Sequence, residues 1–278
     1  MRHKTMIESM PVTPPAPYLG GKSRLAARVI QRLSGIRHEC YVEPFVGMGG
    51  IFLRRPWRSK VEVINDISRD VATLFRVLQR HYVPFMDMLR WQITSRAEFE
   101  RLCGMAADTL TDMERAARFL YLQRTSFGGK VTGRNFGVSA SSPARFDITK
   151  LGSMLEEVHE RLAGVTIECL GFERLIEVYD RPETLFYLDP PYWGCETDYG
   201  EGVFSRGDFE RLAEQLGRIR GRFLMSLNDT PEIRAVFAAF HIDGVEVNYS
   251  VNGAKQGPAA EVLISSNGLG DEGLFAGL

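Results

Sequence analysis

The 278-residue sequence lacks several features that would point to a function at once. Its net charge is −1 at pH 7, so the composition as a whole does not indicate a nucleic-acid partner, and any basic surface has to be local. No apolar run approaches the roughly 18 residues of a membrane span, and residues 1–17 lack the apolar segment of a secretory signal. The four cysteines (Cys40, Cys103, Cys169 and Cys195) are widely spaced and form no C-x-x-C pair. We therefore expect free thiols in a reducing compartment, the cytoplasm, and neither a disulfide framework nor a metal site.

The sequence does contain an alternation of apolar strands and amphipathic helices. Strands are predicted at 39–45, 61–64, 165–170, 184–188 and 223–227, and helices at 25–33, 71–78 and 208–219. This alternation predicts an α/β fold whose mostly parallel sheet is covered on both faces and binds ligands at the carboxyl ends of its strands. Residues 245–251 and 260–265 predict an antiparallel hairpin at the edge of that sheet.

One strand ends in a sequence that is suited to chemistry. The apolar run Thr184–Leu188 is followed by Asp189-Pro190-Pro191-Tyr192. Proline cannot donate to a β-ladder, so the strand has to end there. The strand end then carries a carboxylate, an unpaired carbonyl and an aromatic ring, a set suited to holding a planar group that bears an exocyclic amine.

A glycine-rich turn follows the first of these strands. In residues 43–50, Glu-Pro-Phe-Val-Gly-Met-Gly-Gly, the glycines let a ligand approach the backbone at the start of a helix. Asp66 lies nineteen residues after Gly47, at the end of the next strand, where an acid can bind ribose hydroxyls. The turn lacks the Gly-Lys-Ser/Thr ending of a P-loop, and Glu43 favours a cationic or zwitterionic ligand over a pyrophosphate. The pattern predicts a nucleoside-containing cofactor without saying which.

A second short motif lies upstream, where Tyr18-Leu19-Gly20-Gly21-Lys22 precedes a helix. A lysine just after two glycines can reach a carboxylate bound at the start of a helix. Taken alone, the segment is better explained as a turn with a solvated lysine.

One stretch interrupts the alternation of strands and helices. From about residue 83 to residue 150 the pattern predicts helices and then a glycine-rich loop, without a clear strand. Between residues 115 and 150 there are seven basic residues and one acid, a local excess of six positive charges. Such patches bind phosphate backbones, and the interleaved aromatic residues can stack on unpaired bases. A solvated helix face with a mobile loop would give the same pattern, and the charges alone do not decide between the two.

Together these segments resemble the Dam-type DNA adenine-N6 methyltransferases, in the same order and from about Tyr18 to Ser265. Residues 18–22 are similar to that family's Trp-x-Gly-Gly-Lys segment, with tyrosine for tryptophan, and residues 43–49 to its glycine motif. Asn65-Asp66 resembles its ribose-binding acid, and residues 119–127 resemble the start of its DNA-contacting region. Residues 189–192 match its catalytic tetrapeptide, and residues 223–228 and 261–264 resemble its later strands.

The resemblance implies a Rossmann-like methyltransferase sheet with a smaller, mainly helical DNA-recognition insert. It implies S-adenosylmethionine as the cofactor, double-stranded DNA as the partner, and no metal. The catalytic residues would be Asp189, Pro190 and Tyr192, acting on an adenine that has left the duplex. The cofactor-binding residues would be Tyr18, Lys22, Glu43, Phe45, Gly47, Gly49, Asp66, Phe172 and Asp189, with Lys22 at the cofactor carboxylate. The DNA-binding residues would be Arg124, Lys130, Arg134 and Arg145.

The expected organisation follows from the same alignment of motifs. We expect a disordered lead-in at 1–17, a catalytic domain formed by 18–82 and 151–267, a target-recognition insert at 83–150 and a flexible tail at 268–278. Two segments depart from the family pattern. Phe127-Gly128-Gly129 replaces the usual Phe/Tyr-Asn-Gly, so a GATC target does not carry over. Gly171-Phe172 replaces an acid–aromatic pair, although Phe172 can still pack on the cofactor adenine.

Other functions remain open at this point. Related Asn/Asp-Pro-Pro-Tyr enzymes methylate other planar amines and amides, including RNA bases and protein glutamine. The basic insert favours DNA over a protein side chain but leaves RNA open. A non-catalytic DNA-binding module would not need the acids and the lysine of the cofactor motifs together with Asp189. The target sequence, the oligomeric state and the presence of a restriction partner are not predicted.

Overall fold

The computed structural model describes residues 6–20, 22, 25–138, 141, 143–200, 202–247, 250–251, 254–255 and 259–266. The strands are β1 (Ile7–Glu8), β2 (Cys40–Glu43), β3 (Trp57–Arg58), β4 (Val61–Asn65), β5 (Thr166–Glu168), β6 (Thr184–Leu188), β7 (Arg222–Asn228), β8 (His241–Val247), β9 (Ser250–Val251), β10 (Ala254–Lys255) and β11 (Ala259–Ser265). The α-helices are α1 (Ala26–Ser34), α2 (Arg69–Arg80), α3 (Tyr82–Leu89), α4 (Arg96–Gly104), α5 (Asp112–Thr125), α6 (Ile148–Arg161), α7 (Phe172–Tyr179), α8 (Arg206–Leu216) and α9 (Pro231–Val236). Among the described helices, none is both long enough and apolar enough to cross a membrane.

Seven strands form one sheet in the order β5-β4-β2-β6-β7-β11-β8. The first five run parallel, and β11 is antiparallel to both of its neighbours, β7 and β8. This arrangement confirms the predicted α/β class, a mostly parallel Rossmann-like sheet with an antiparallel pair towards one edge. The sequence did not predict that β11 lies between β7 and β8. Of the two antiparallel strands, only β8 therefore lies at an edge of the sheet.

The sheet has apolar residues on both faces because alternate strand residues point in opposite directions. Tyr187 and Leu185 of β6 pack on the face covered by α1, α2, α5 and α6. Phe186 and Leu188 of the same strand pack on the face covered by α7, α8 and α9. A strand buried on both sides reads as a continuous apolar run, which is why β6 was predicted with the bounds that the structure shows.

The expected disordered lead-in is wrong for residues 6–17, which pack on the rest of the chain. Strand β1 pairs antiparallel with β3, and the backbone N–H of Val12 donates to the carbonyl of Leu53 at 2.8 Å. Val12 and Ala16 are buried. The prolines suggested disorder, but the apolar residues of this segment give it a surface to bury. Residues 1–5 and the expected flexible tail at 268–278 lie outside the described residues.

The insert contains α3, α4 and α5 and, within its described residues, no strand. Helix α5 begins with a capping box between Thr111 and Glu114. Its Phe119, Leu120 and Leu122 are buried in the same apolar core as α2. Helix α5 is therefore part of the support of the sheet, whereas much of the loop that follows it is exposed.

Candidate active site

A cavity of about 700 Å³ opens at the carboxyl ends of β2, β4 and β6. Its wall includes Tyr18, Glu43, Asp66, Phe172 and Asp189, which are far apart in the sequence. The parallel pairing of β2 with both β4 and β6 brings the three strand ends to one edge of the sheet, and so brings the three acids together. Eight of the nine residues predicted to bind a cofactor line this cavity, and Gly49 is the exception.

The two predicted glycines of the turn have different roles. Gly47 adopts φ +50°, and a Cβ on it would lie 2.9 Å from the ring of Tyr18, so only glycine allows this ring to close on the turn. Gly49 adopts φ +74°, and a Cβ there would meet Leu53 at 2.8 Å. Gly49 therefore serves the packing of the turn against the core behind it.

Asp66 holds the glycine turn in place from the end of β4. Its Oδ2 accepts the backbone N–H of Gly47 at 3.0 Å, and its Oδ1 accepts the N–H of Ser68 at 2.9 Å. Burial raises the pKa of the Asp66 carboxyl to about 6, against the lowering effect of these two bonds. The carboxylate lies in the cavity wall with lone pairs left to accept hydroxyl donors.

Glu43 is a buried acid supported from behind the cavity. Its Oε2 accepts the Tyr41 hydroxyl at 3.0 Å, and the guanidinium of Arg55 stacks 3.6 Å from the centre of the Tyr41 ring. Arg55 in turn pairs with Glu62 at 2.6 Å. Burial raises the pKa of Glu43 to about 8, although Arg55 lowers it. An acid of this kind favours a cationic ligand, because a nearby positive charge would stabilise its ionised form.

Asp189 lies just past the end of β6 and is held by two donors. The ammonium of Lys22 is 2.8 Å from its Oδ1, and the Ser226 hydroxyl donates to the same oxygen at 3.1 Å. The hydroxyl of Tyr187 lies 2.9 Å from Ser226 and extends this chain into the core. In the described part of the chain both of these partners bond to Oδ1, so Oδ2 keeps lone pairs that can accept further donors. Burial raises the pKa of Asp189, and Lys22 opposes that rise.

The other residues of the tetrapeptide surround this carboxylate. Pro190 is buried, while Pro191 lines the cavity. Tyr192 is half-buried, and the Lys22 ammonium lies 4.2 Å from the centre of its ring. The backbone after the tetrapeptide is fixed by Asn228 of β7, whose amide exchanges two 3.0 Å hydrogen bonds with the backbone of Trp193. Lys22, which was predicted to bind a cofactor carboxylate, thus lies between the Asp189 carboxylate and the Tyr192 ring.

Three phenylalanines form the opposite end of the cavity. Phe45, Phe172 and Phe204 lie with ring centres 5.9 to 6.0 Å apart. Phe45 and Phe172 were predicted, and Phe204 was missed because it follows a loop that carries no recognisable motif. The three rings are tilted or edge-on to one another and together offer an apolar surface on which a heterocyclic base can pack.

The loop after the tetrapeptide contributes Tyr199, Gly202 and Val203 to the cavity wall. The Tyr199 hydroxyl donates to the carbonyl of Leu19 at 3.0 Å, and its ring lies 5.8 Å from that of Tyr18. The Thr132 hydroxyl, in the basic insert, donates to the carbonyl of Asp198 at 3.2 Å. The loop after the tetrapeptide therefore connects the Tyr18 segment with the insert, a contact that the sequence did not reveal.

Of the four residues predicted to bind DNA, Arg124 and Arg134 are half-buried. Arg124 donates to the carbonyl of Pro15 at 2.8 Å and to that of Arg145 at 3.1 Å, so it ties the lead-in to the insert. Arg134 donates to the carbonyl of Lys130 at 3.3 Å. Burial lowers the pKa of both guanidinium groups. Lys130 and Arg145 are exposed.

The charge excess counted from the sequence is smaller on the surface than expected. Arg115 is buried and pairs with Asp70 at 2.5 Å and Asp108 at 2.9 Å. Arg118 is buried and donates to the carbonyl of Leu102 at 2.7 Å. Both arginines lie on α5, the helix that packs into the core. Counting charges along the chain could not reveal this, because Asp70 belongs to a distant helix.

The cysteines are unpaired and apart, and no cluster of metal-binding side chains occurs among the described residues. Carboxylates, basic side chains, glycine backbone and aromatic rings line the cavity, whose position at the strand ends is that of a ligand-binding site in an α/β enzyme.

Comparisons with known proteins agree with this assignment. A family model described as D12 class N6 adenine-specific DNA methyltransferase matches residues 18–251. The chain is 25% identical to the type II methyltransferase M1.LlaDCHI of Lactococcus lactis subsp. cremoris over 276 residues, which cover 90% of this chain and 94% of the relative. It is 24% identical to a DNA adenine methylase of Haemophilus influenzae, with 89% of each chain covered. It is 22% identical to the type II methyltransferase M.CviBI of a Paramecium bursaria Chlorella virus, over 72% of this chain and 77% of the relative.

Because the family match spans most of the chain, the protein belongs to the D12 class N6 adenine-specific DNA methyltransferases. Its reaction is the methylation of adenine N6 in DNA. The resemblance inferred from the motifs is thereby confirmed, and so is the assignment as an enzyme.

Proposed function

We propose that the protein transfers a methyl group from S-adenosylmethionine to the N6 amine of an adenine that has left a DNA duplex. The observation that carries this proposal is the position of Asp189. Its carboxylate ends β6 in the wall of the cofactor-sized cavity and lies beside the Tyr192 ring, with Lys22 between them.

The residues of the cavity fit this cofactor. Its amino-acid part is zwitterionic and its sulfur is cationic, and Glu43 supplies a buried acid beside the glycine turn. Asp66 can accept hydrogen bonds from ribose hydroxyls, and Phe45, Phe172 and Phe204 offer apolar surface to an adenine ring. Gly47 lets the Tyr18 ring close on the glycine turn in the cavity wall. When bound, S-adenosylmethionine supplies an electrophilic methyl group.

Asp189 and the backbone of Pro190 act on the amine of the target base. The Asp189 side chain and the Pro190 carbonyl would each accept one N6 hydrogen. Two such bonds hold the amine in place and favour a lone pair on a nitrogen that is otherwise conjugated with the ring. Asp189 need not be a strong base, because the N6 proton becomes acidic as the new N–C bond forms. Positioning of two bound reactants then supplies much of the rate.

Lys22 and Tyr192 complete the site for the base. Lys22 favours the ionised form of the buried Asp189, because its ammonium opposes the rise in pKa that desolvation of the carboxylate causes. The ring of Tyr192 offers a stacking surface, which offsets part of the few kcal/mol that it costs to unpair and unstack a base. An adenine that stacks on the same face of this ring has to share it with the Lys22 ammonium.

The insert at 83–150 serves in this proposal as the target-recognition region of a catalytic domain formed by 18–82 and 151–267. Its exposed Lys130 and Arg145 contact phosphates, while the loop 130–134 reaches the cavity through Val131 and Thr132. The unpaired cysteines agree with a cytoplasmic location, where thiols stay reduced.

The test is transfer of a tritiated methyl group from S-adenosylmethionine to duplex DNA, RNA and protein in parallel. We expect label in DNA, recovered as N6-methyladenine after digestion to nucleosides. Label in RNA alone, or in another nucleoside, would contradict the proposal. DNA binding without any label and without cofactor binding would indicate a DNA-binding module. Sequencing of the modified DNA would supply the target site.

A further inference from the structure

We propose that Arg54 binds the carboxylate of the amino-acid part of the methyl donor, a role that the sequence had suggested for Lys22. This inference rests on the function proposed above. It concerns the cation that faces the negative end of a zwitterionic ligand, opposite the acid supplied by Glu43.

The Lys22 ammonium is already engaged at the catalytic end of the cavity. It lies 2.8 Å from Asp189 Oδ1 and donates to the Gly20 carbonyl at 3.2 Å. The ring of Tyr192 takes the remaining side of the ammonium, at 4.2 Å from the ring centre. To bind a second carboxylate, Lys22 would have to leave Asp189 without its counter-charge in a buried place, which is costly.

Arg54 is a half-buried guanidinium in the wall of the same cavity. Its Nη1 donates to the Gly50 carbonyl at 2.7 Å. No carboxylate of the described residues pairs with it, in contrast to Arg55, the next residue, which pairs with Glu62. Burial lowers the pKa of Arg54, as expected for a cation that loses water without gaining an acid. An anionic ligand would compensate for the solvation that the Arg54 guanidinium has lost.

The position of Arg54 on the glycine turn fits this ligand. Gly50 leaves a space between the Arg54 side chain and the backbone of Lys22, because a Cβ there would lie 3.7 Å from Arg54 Nη1 and 3.8 Å from the Lys22 nitrogen. A planar guanidinium with several donors suits a carboxylate better than a single ammonium does. Glu43 and Arg54 thus provide opposite charges on either side of one turn, as an α-amino acid requires.

The test compares two ligands that differ only in the carboxylate, S-adenosylmethionine and decarboxylated S-adenosylmethionine. Dissociation constants are measured by calorimetry, without DNA, for the wild type and for Arg54→Met, Arg54→Lys and Lys22→Met. Arg76→Met is the matched control, an arginine on α2 whose side chain is 62% exposed. We expect the wild type to prefer the carboxylate form by roughly 10- to 100-fold, the range of a charge-assisted hydrogen-bonded pair.

In Arg54→Met the ratio of the two dissociation constants should fall to about one, because only the ligand with the carboxylate loses affinity. Arg54→Lys should keep part of the preference. Lys22→Met and Arg76→Met should keep most of it. Loss of the preference in Lys22→Met but not in Arg54→Met would overturn the inference, as would an equal loss for both ligands in Arg54→Met. A wild type that binds neither ligand would overturn the proposed function as well. A wild type that binds both equally would overturn the inference alone.

Discussion

The charged side chains of the cavity and those of the insert are used in different ways. In the cavity, Glu43, Asp66 and Asp189 converge from three strands on one space. In the insert, Arg115 and Arg118 turn into the core, and Arg124 is occupied by backbone carbonyls. The charged groups of the cavity therefore share one space that a ligand can occupy, whereas many of those in the insert form contacts within the chain.

The difference follows from what fixes each group in space. The ends of parallel strands meet at one edge of the sheet, so a residue at a strand end has a known location once the strand is recognised. A residue on a helix or loop of the insert has no such constraint, and its exposure depends on partners from distant segments. Ligand-facing residues at the strand ends can therefore be predicted from sequence motifs. In the insert they can be identified only from the exposure of each side chain in the structure.

The strongest test of the convergence in the cavity is Asp189→Asn. The amide keeps the shape but replaces one acceptor oxygen with a donor, which must face either Lys22 or the N6 amine, and it removes the negative charge. We expect the methylation rate to fall by at least about 10³-fold, as for removal of a group that acts at the reacting atoms. Single-turnover rates with labelled cofactor measure the effect.

Asp189→Asn should still bind the cofactor through Glu43 and Asp66, but its melting temperature should fall because the buried Lys22 ammonium loses its counter-charge. Ser226→Ala removes one donor to Asp189 but leaves the carboxylate, and it should reduce the rate much less. A rate for Asp189→Asn near that of the wild type would show that the strand end is not the catalytic centre.

The second test concerns the acid beside the glycine turn. With a pKa raised to about 8, Glu43 is mostly protonated at pH 6.5 in the unliganded protein, and a bound cation favours its ionised form. Cofactor affinity should therefore rise between pH 6.5 and 7.5, by up to tenfold per pH unit. Glu43→Gln should flatten this rise and weaken binding by at least about 30-fold at pH 7.5. Asp66 titrates at about 6, below this window.

The raised pKa of Glu43 also predicts how the stability of the unliganded protein depends on pH. Its pKa is raised from 4.5 in the unfolded chain to about 8 in the folded protein, so the folded state binds the proton more tightly. Its contribution to stability is complete below 4.5 and is lost as the pH rises through 8, by up to about 1.4 kcal/mol per pH unit. The wild type should lose more stability than Glu43→Gln between pH 5 and 8, measured by denaturant unfolding. Parallel curves for the two proteins would contradict the assignment of Glu43.

Tyr192 provides a smaller test, at the boundary between the cavity and the DNA. Tyr192→Ala should slow methylation of duplex DNA roughly tenfold, because stacking of one base on a ring contributes about 1–3 kcal/mol. Tyr192→Phe keeps the ring and should stay near the wild-type rate. Fluorescence of 2-aminopurine at the target position reports the unstacking directly. Equal rates for the alanine and wild-type proteins would argue against stacking on this ring.

The sequence predicted the parts of the molecule whose positions depend on local patterns. Strand β6, the glycine turn and the tetrapeptide combine apolar periodicity with residues that end a strand, and all three were located correctly. The packing of residues 6–17 and the position of β11 between β7 and β8 were not predicted. Both depend on pairing between distant strands, which leaves no local pattern in the sequence. The same holds for Phe204, Arg54 and Ser226, which become part of the site only through the fold.

The last test addresses the insert, where exposure and not sequence position should decide the effect. Lys130→Ala and Arg145→Ala remove exposed charges, and each should weaken DNA binding a few-fold and reduce the slope of log affinity against log salt by about one. Arg118→Ala removes a charge that α5 buries against the Leu102 carbonyl, so it should lower the stability and leave that slope unchanged. Lys60→Ala, an exposed lysine next to the amino end of β4 and away from the cavity, is the control and should change neither. If Arg118→Ala changed the slope more than Lys130→Ala and Arg145→Ala did, the DNA would have to contact the buried side of α5. The charges of the insert would then face a ligand, as those of the cavity do, and the contrast between the two regions would be wrong.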